Sequence, residues 1–220
     1  LEGAGPFSPL KPSDLAFEDR WILDETSKAT AELTEALEGY RFHAAGQIVY
    51  HFAWHSLCDW YLEAAKPRLY GNSPREKAVA QQVLATALDG LLRMLHPFIP
   101  FVTEELWSHL NGLVPERGVL DVRAAEESLA RARWPSPEWY PRDPEAAASM
   151  PLVTDLIRAI RNIRSKLGLG ERTEVDCVVT GGSQEALATI RRYEYFIRDL
   201  GKVKDLQAGD GLAKPHPASA

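Results

Sequence analysis

Cysteine is nearly missing: Cys58 and Cys177 are the only two in 220 residues, far apart and each inside an apolar pattern. That excludes a disulfide framework and any Cys-rich zinc site, and it fits a reducing cytoplasm. Long apolar runs are missing too, and none approaches the ~20 residues of a membrane span. There is no basic-then-apolar start of the signal-peptide kind. The chain begins at Leu1 without an initiator methionine, which leads us to expect a piece of a longer protein. No Gly-rich phosphate loop, Gly-x-Ser-x-Gly or His-Glu-x-x-His occurs, so the common catalytic motifs are absent.

What is present is an ordinary globular balance, 45% apolar and 25% charged, long enough for one or two domains with their own cores. The 25 basic and 31 acidic residues give a net charge of −6. Residues 1–110 carry −6, residues 111–150 carry −2, and residues 151–220 carry +2. An acidic body with a basic end requires focused contacts if the partner is RNA, because no general positive field draws it in.

Proline divides the chain. Pro6, Pro9 and Pro12 make an extended lead-in, and eight of the 15 prolines lie between Pro97 and Pro151. Regular structure is expected in the proline-free stretches. Helix one is predicted from Ser13 or Asp14 to Gly39. Its buried face is Leu15, Ile22, Thr26, Ala29, Leu33, Ala36, Leu37 and Tyr40, with Glu18, Asp24, Glu25, Glu32, Glu35 and Glu38 mostly outside. Helix two runs from about Phe42 to Ala65, apolar most of the way round. Ser73-Pro74-Arg75-Glu76 is a helix start with serine cap, N1 proline and capping box. Pro100 opens helix four, with Phe101, Val102, Leu106, Trp107 and Leu110 facing inward.

Four helices with short connections make a bundle over residues 1–112. Residues 113–150 are an irregular connection that wraps a surface or links two domains. Residues 151–208 read as a small α/β subdomain: a helix with Val153, Leu156, Ile160, Ile163 and Leu167 on one face, a strand over 174–180, a helix from Ser183 to about Tyr195, and a strand over 203–207. Residues 209–220 read as an unstructured tail.

Among the polar residues, His43, His51 and His55 share one side of helix two. They lack the further ligands of a metal site, so polar-face histidines are the better reading. Asp59, between Cys58 and Trp60, falls on the apolar face and calls for a partner, since a lone buried carboxylate is costly. Trp21, Trp54, Trp60, Tyr61, Phe101 and Trp107 follow core spacing rather than that of base-stacking platforms. Phe42 differs: it follows the helix break at Gly39-Tyr40-Arg41, beside a guanidinium. That pair suits an unstacked base, and it equally suits a helix-entry staple. Arg158, Arg161, Arg164 and Lys166 form either a phosphate contact or a solvated face.

Taken in order, several stretches resemble the C-terminal part of the valyl-tRNA synthetases. They are Asp19-Arg20-Trp21-Ile22-Leu23, Glu35-Ala36-Leu37-Glu38-Gly39-Tyr40-Arg41-Phe42, Cys58 to Arg68, His96 to Trp107, and Ala159 to Ser165. The resemblance implies a mainly α fold, the four-helix-type anticodon-binding bundle of class I synthetases, followed by a small α/β subdomain. It implies tRNA contacts by Arg41 and Phe42, with Phe42 stacking an anticodon base. Arg20 and Lys66 or Arg68 would touch the backbone of the anticodon stem.

The family's His-Ile-Gly-His and Lys-Met-Ser-Lys-Ser signatures and its editing domain are absent here. The resemblance therefore implies a specificity module with no catalytic residues, no metal and no cofactor of its own. The parent enzyme, a cytoplasmic valine–tRNA ligase, would use ATP and Mg²⁺. The partners implied are valine tRNA and the catalytic domain of the same polypeptide, with no membrane. The rival readings are the equivalent domain of an isoleucyl enzyme and a helical protein-interaction scaffold.

Overall fold

The computed structural model describes residues 1–170 and 173–213, and most of the expected tail lies outside that set. The chain divides into two compact units, Leu1–Ala146 and Ala147–Ala220.

The first unit is helical. After a short turn at Pro12–Asp14, α1 spans Phe17–Glu38, opened by the Asp19 carboxylate accepting from the Ala16 amide at 3.0 Å. One continuous rod follows: α2 (Phe42–His51), a π-helical stretch (Phe52–Tyr61) and α3 (Leu62–Leu69). Then come α4 (Pro74–Leu95) and α5 (Pro100–Leu113). Ser73 caps α4 by accepting from the Glu76 amide at 3.4 Å. The core is built on α1 and α4, with Ile22, Leu23, Leu33, Phe52, Leu57, Tyr61, Met94 and Trp107 sealed from solvent.

Helix α1 departs from its expected pattern. Glu18 and Asp24, placed outside by periodicity, are buried, as is Asp19. Arg68 supplies the compensating charge to the first pair. Its Nη1 and Nη2 donate to the two Asp19 oxygens at 2.6 and 2.7 Å, and Nη2 lies 3.0 Å from Glu18. The Tyr61 hydroxyl also donates to Asp19, at 3.0 Å. Burial, reinforced by the Asp19 charge, pushes the Tyr61 phenol well above its ordinary value. Asp24 is held by Arg142 Nε at 2.6 Å and by the Asp143 amide at 2.9 Å. Tyr40, expected on the buried face, is exposed.

The segment after α5 folds back onto α4 and α5. Its two-residue strands β1 (Glu116–Arg117) and β2 (Arg123–Ala124) pair antiparallel through a turn where Gly118 has φ +126°. A Cβ there would overlap the Asp121 carbonyl. The segment is fixed by a buried network. Asp89 accepts from Arg93 Nε at 2.7 Å and Arg117 Nε at 2.9 Å, and Arg93 reaches Glu126 at 2.7 Å.

Partial burial opposes ionisation of Glu126, yet the bonds from Arg93 and from backbone amides win, and its pKa falls from 4.5 to about 2. A carboxylate depressed in the folded state contributes stability above its unfolded value and loses it as pH falls towards the folded one. The difference in melting temperature between the protein and Glu126→Gln is therefore expected at pH 6 and should shrink between pH 4.5 and 2. A difference constant across that range would remove Glu126 from the network.

In the second unit, β3 (Val175–Val179) and β4 (Val203–Ala208) pair in parallel, joined through α7 (Gln184–Arg192) and α8 (Glu194–Gly201). The single helix expected from Ser183 breaks at Tyr193, whose ring is buried at the corner. Helix α6 (Pro144–Lys166) begins before Met150, not after it. Asp143 accepts from the Ala146 amide at 2.9 Å, capping a start whose first residue is proline. Pro151, read as a breaker, is internal to the helix. Ile163 and Leu167, expected on the apolar face, are about half exposed. Arg164, expected outside, is buried and donates to the carbonyls of Gly170, Thr173 and Lys202, tying the loop after α6 to β4.

Candidate nucleic-acid interface

The bend between α1 and α2 is locked by three backbone bonds. Gly39 N–H donates to Glu35 O at 3.0 Å, Tyr40 N–H to Leu37 O at 3.0 Å, and Arg41 N–H to Ala36 O at 2.8 Å. The last two bonds are those of a Schellman helix ending, which normally places glycine at the left-handed position. Here that position is Tyr40, with φ +55°. A bulky side chain in that conformation costs about 1–2 kcal/mol. Its ring is 81% exposed, so no burial repays the strain within the unit. Phe42, the first residue of α2, is 60% exposed and meets the Tyr40 ring edge-on, with centroids 6.2 Å apart. Arg41, between them in sequence, reaches back to Glu35 on α1 at 2.8 Å in a contact open to water on both sides. The bend thus presents two rings and a cation on a rigid turn, the residue types that stack and grip an unpaired nucleotide.

The anticodon-binding domain of tRNA ligases matches residues 19–179 as a family model. The chain belongs to that family. The valine–tRNA ligase of Geobacter sulfurreducens is 41% identical over 222 residues, covering all of this chain and 24% of its own length. That of Symbiobacterium thermophilum is 39% identical over 210 residues, covering 92% of this chain and 23% of its own. The chain spans about a quarter of the length of these curated relatives.

Within this anticodon-binding domain, the expected contact residues separate by environment. Arg41 and Phe42 sit together at the bend and face solvent. Lys66 is exposed and ion-paired with Glu63 one helical turn earlier. Arg68 bonds Asp19 and Glu18 with its side chain 15% exposed, which leaves little of the guanidinium open to solvent. Arg20 lies 3.2 Å from Asp143 and is partly buried, again holding the fold. Arg158 and Arg161 belong to the second unit. Arg158 pairs with Asp155 at 2.9 Å, and Arg161 Nε donates to the Leu200 carbonyl at 3.1 Å.

Other side chains also depart from expectation. Trp54 and Phe101 are exposed, whereas Trp21, Trp60, Tyr61 and Trp107 are core. Asp59 is exposed and pairs with His55 at 3.1 Å. Val102 and Leu106 are also exposed, leaving Thr103, Trp107 and Leu110 as the inner face of α5. Sequence reading missed Tyr40 as a surface ring because it continues the apolar spacing of α1. The Gly39-Tyr40 order was the available signal, since a helix that ends at glycine turns the next residue away.

The Glu35 carboxylate competes with any phosphate for Arg41. Exposed pairs of this kind are worth about 0.2–1 kcal/mol. Glu35→Gln is therefore expected to tighten tRNA binding by roughly 1.5- to 5-fold and to steepen its salt dependence. Filter binding across a salt series would show this, and an unchanged slope would mean that Arg41 stays off the backbone.

Proposed function

We propose that this domain reads the anticodon of valine tRNA for a valine–tRNA ligase, and that the Tyr40–Arg41–Phe42 bend is where an anticodon base is held. The observation that carries the reading is a pair of exposed rings in edge-on contact, with an exposed arginine between them in sequence, on a strained, locked turn of an anticodon-binding domain. In this reading Phe42 stacks the base while Arg41 bonds its edge or phosphate. Arg158 and Arg161 remain candidates for weaker phosphate contacts, and Lys66 for the anticodon stem.

The chemistry would belong to the rest of the polypeptide. A catalytic domain would activate valine with ATP and Mg²⁺ and transfer it to the tRNA in the cytoplasm. The piece described here would supply discrimination and would form no aminoacyl-tRNA by itself. Support comes from the two valine–tRNA ligase relatives aligned over nearly all of this chain.

The test is a pair of transcripts, valine tRNA and one altered at the middle anticodon base, titrated against the protein. The native transcript is expected to bind more tightly by about 5- to 150-fold, the value of one stack or base contact. Phe42→Ala is expected to erase that difference without changing the melting temperature, because the ring is exposed. Equal affinities in the unmodified protein would refute the reading, and absence of any tRNA binding at low salt would favour a protein-interaction scaffold.

A further inference from the structure

Helix α2 and the π-helical stretch carry a second pair of surface rings. Tyr50 is 61% and Trp54 56% exposed, and their planes lie within 7° of parallel with centroids 6.3 Å apart. The inward side of the same rod is filled by Val49, Phe52, Leu57, Trp60 and Tyr61, so these two rings stand outside the core. The exposed neighbours on the rod are His43, Gln47, His51 and His55, hydrogen-bonding groups where a protein-docking patch would carry aliphatic ones. His51 and His55 lie with ring centroids 5.2 Å apart. Of the carboxylates nearby, Asp59 is held by His55, and Glu25 lies within electrostatic reach of His51. Parallel flat surfaces beside imidazole donors match a nucleobase and its phosphate.

We infer that Tyr50 and Trp54 form a second stacking platform, which takes another unpaired nucleotide of the same tRNA loop. Helical rise puts Tyr50 about 12 Å along the rod from Phe42 and roughly 80° around it. Stacked bases advance about 3.4 Å each along a strand, so the second nucleotide lies about three or four positions from the first. The inference rests on the anticodon-loop reading of the bend and adds a residue-specific partner to it.

The experiment places 2-aminopurine in turn at each anticodon-loop position of a valine tRNA transcript, because its fluorescence is quenched when it stacks on an aromatic ring. Titration with the protein is expected to reveal one position whose response is lost in Phe42→Ala and a different one whose response is lost in Trp54→Ala. Trp54→Ala is expected to weaken binding by about 5- to 150-fold, whereas Trp54→Phe keeps both the affinity and the quenching. Tyr50→Ala serves as a second variant, with circular dichroism melting to confirm the fold of each. A Trp54→Ala protein that binds and quenches as the parent does, while Phe42→Ala still loses its position, would overturn this inference and leave the bend intact. No response to either substitution would overturn both.

Discussion

Arg68→Met is expected to lower the unfolding free energy by about 3–5 kcal/mol, the usual consequence of stranding a buried charge. Asp19 is fully enclosed and Glu18 nearly so, and Arg68 is the cation bonded to both. Without it, the Asp19 carboxylate keeps, among the described residues, the Tyr61 hydroxyl and the Ala16 amide. Urea denaturation followed by circular dichroism measures the loss. Adding Asp19→Leu and Glu18→Leu is expected to recover much of it, since apolar replacement of a whole buried ion cluster is often near neutral. The same variant separates two roles for the arginine. A phosphate ligand would lower the slope of log K against log salt by about one, whereas a core ion pair leaves that slope alone wherever the protein is still folded. We expect the second result, and a loss below 1 kcal/mol would show that the cluster is hydrated.

Asp89→Ala is expected to cost a similar amount, about 3–5 kcal/mol, for the opposite reason. It takes the carboxylate from Arg117, 4% exposed, and leaves Arg93, 7% exposed, to Glu126 alone among the acids of the described network. Both guanidinium groups also lie over the Trp107 ring, at 4.7 and 4.3 Å, so their displacement would disturb the α4–α5 packing as well. Asp89→Asn keeps the shape and an acceptor and is expected to fall between the two. Matching melting curves for the Ala and Asn variants would mean that charge contributes little here. Because the network anchors the segment after α5 and lies apart from the α1–α2 bend in sequence, Asp89→Asn is expected to retain base discrimination below its transition.

Much of the fold was legible in the sequence because helix signals are local. The serine cap before Pro74, the proline start at Pro100 and the glycine stop at Gly39 each depend on a few adjacent residues, and each element begins or ends where those signals lie. What could not be read was long-range. Nothing near Glu18 or Asp24 in sequence announces that Arg68 and Arg142, about 50 and 118 positions away, will draw those carboxylates inside. Trp54 and Asp59 lie four residues after the exposed Tyr50 and His55, on the outer side of the rod, a side hidden in the sequence because apolar residues run most of the way round it. Asp143 has the chemistry of a cap, but prolines at 144 and 151 disguise the helix that follows it.

Drawing these acids inward also changes what an RNA would meet. Glu18, Asp19 and Asp24 are turned from solvent against Arg68 and Arg142, a cluster whose own balance is −1. The formal charge of the rest is −5, so the field stays acidic while three of its carboxylates lie out of a phosphate's reach.

The strained tyrosine carries a thermodynamic consequence. The three backbone hydrogen bonds that pin Gly39, Tyr40 and Arg41 fix the bend when the polypeptide folds, so its ordering entropy is settled before any partner arrives. In such an encounter the nucleic acid, not the protein, does the rearranging. Loop sequences that splay readily would then hold an advantage over stiff ones, even where the bases read are identical.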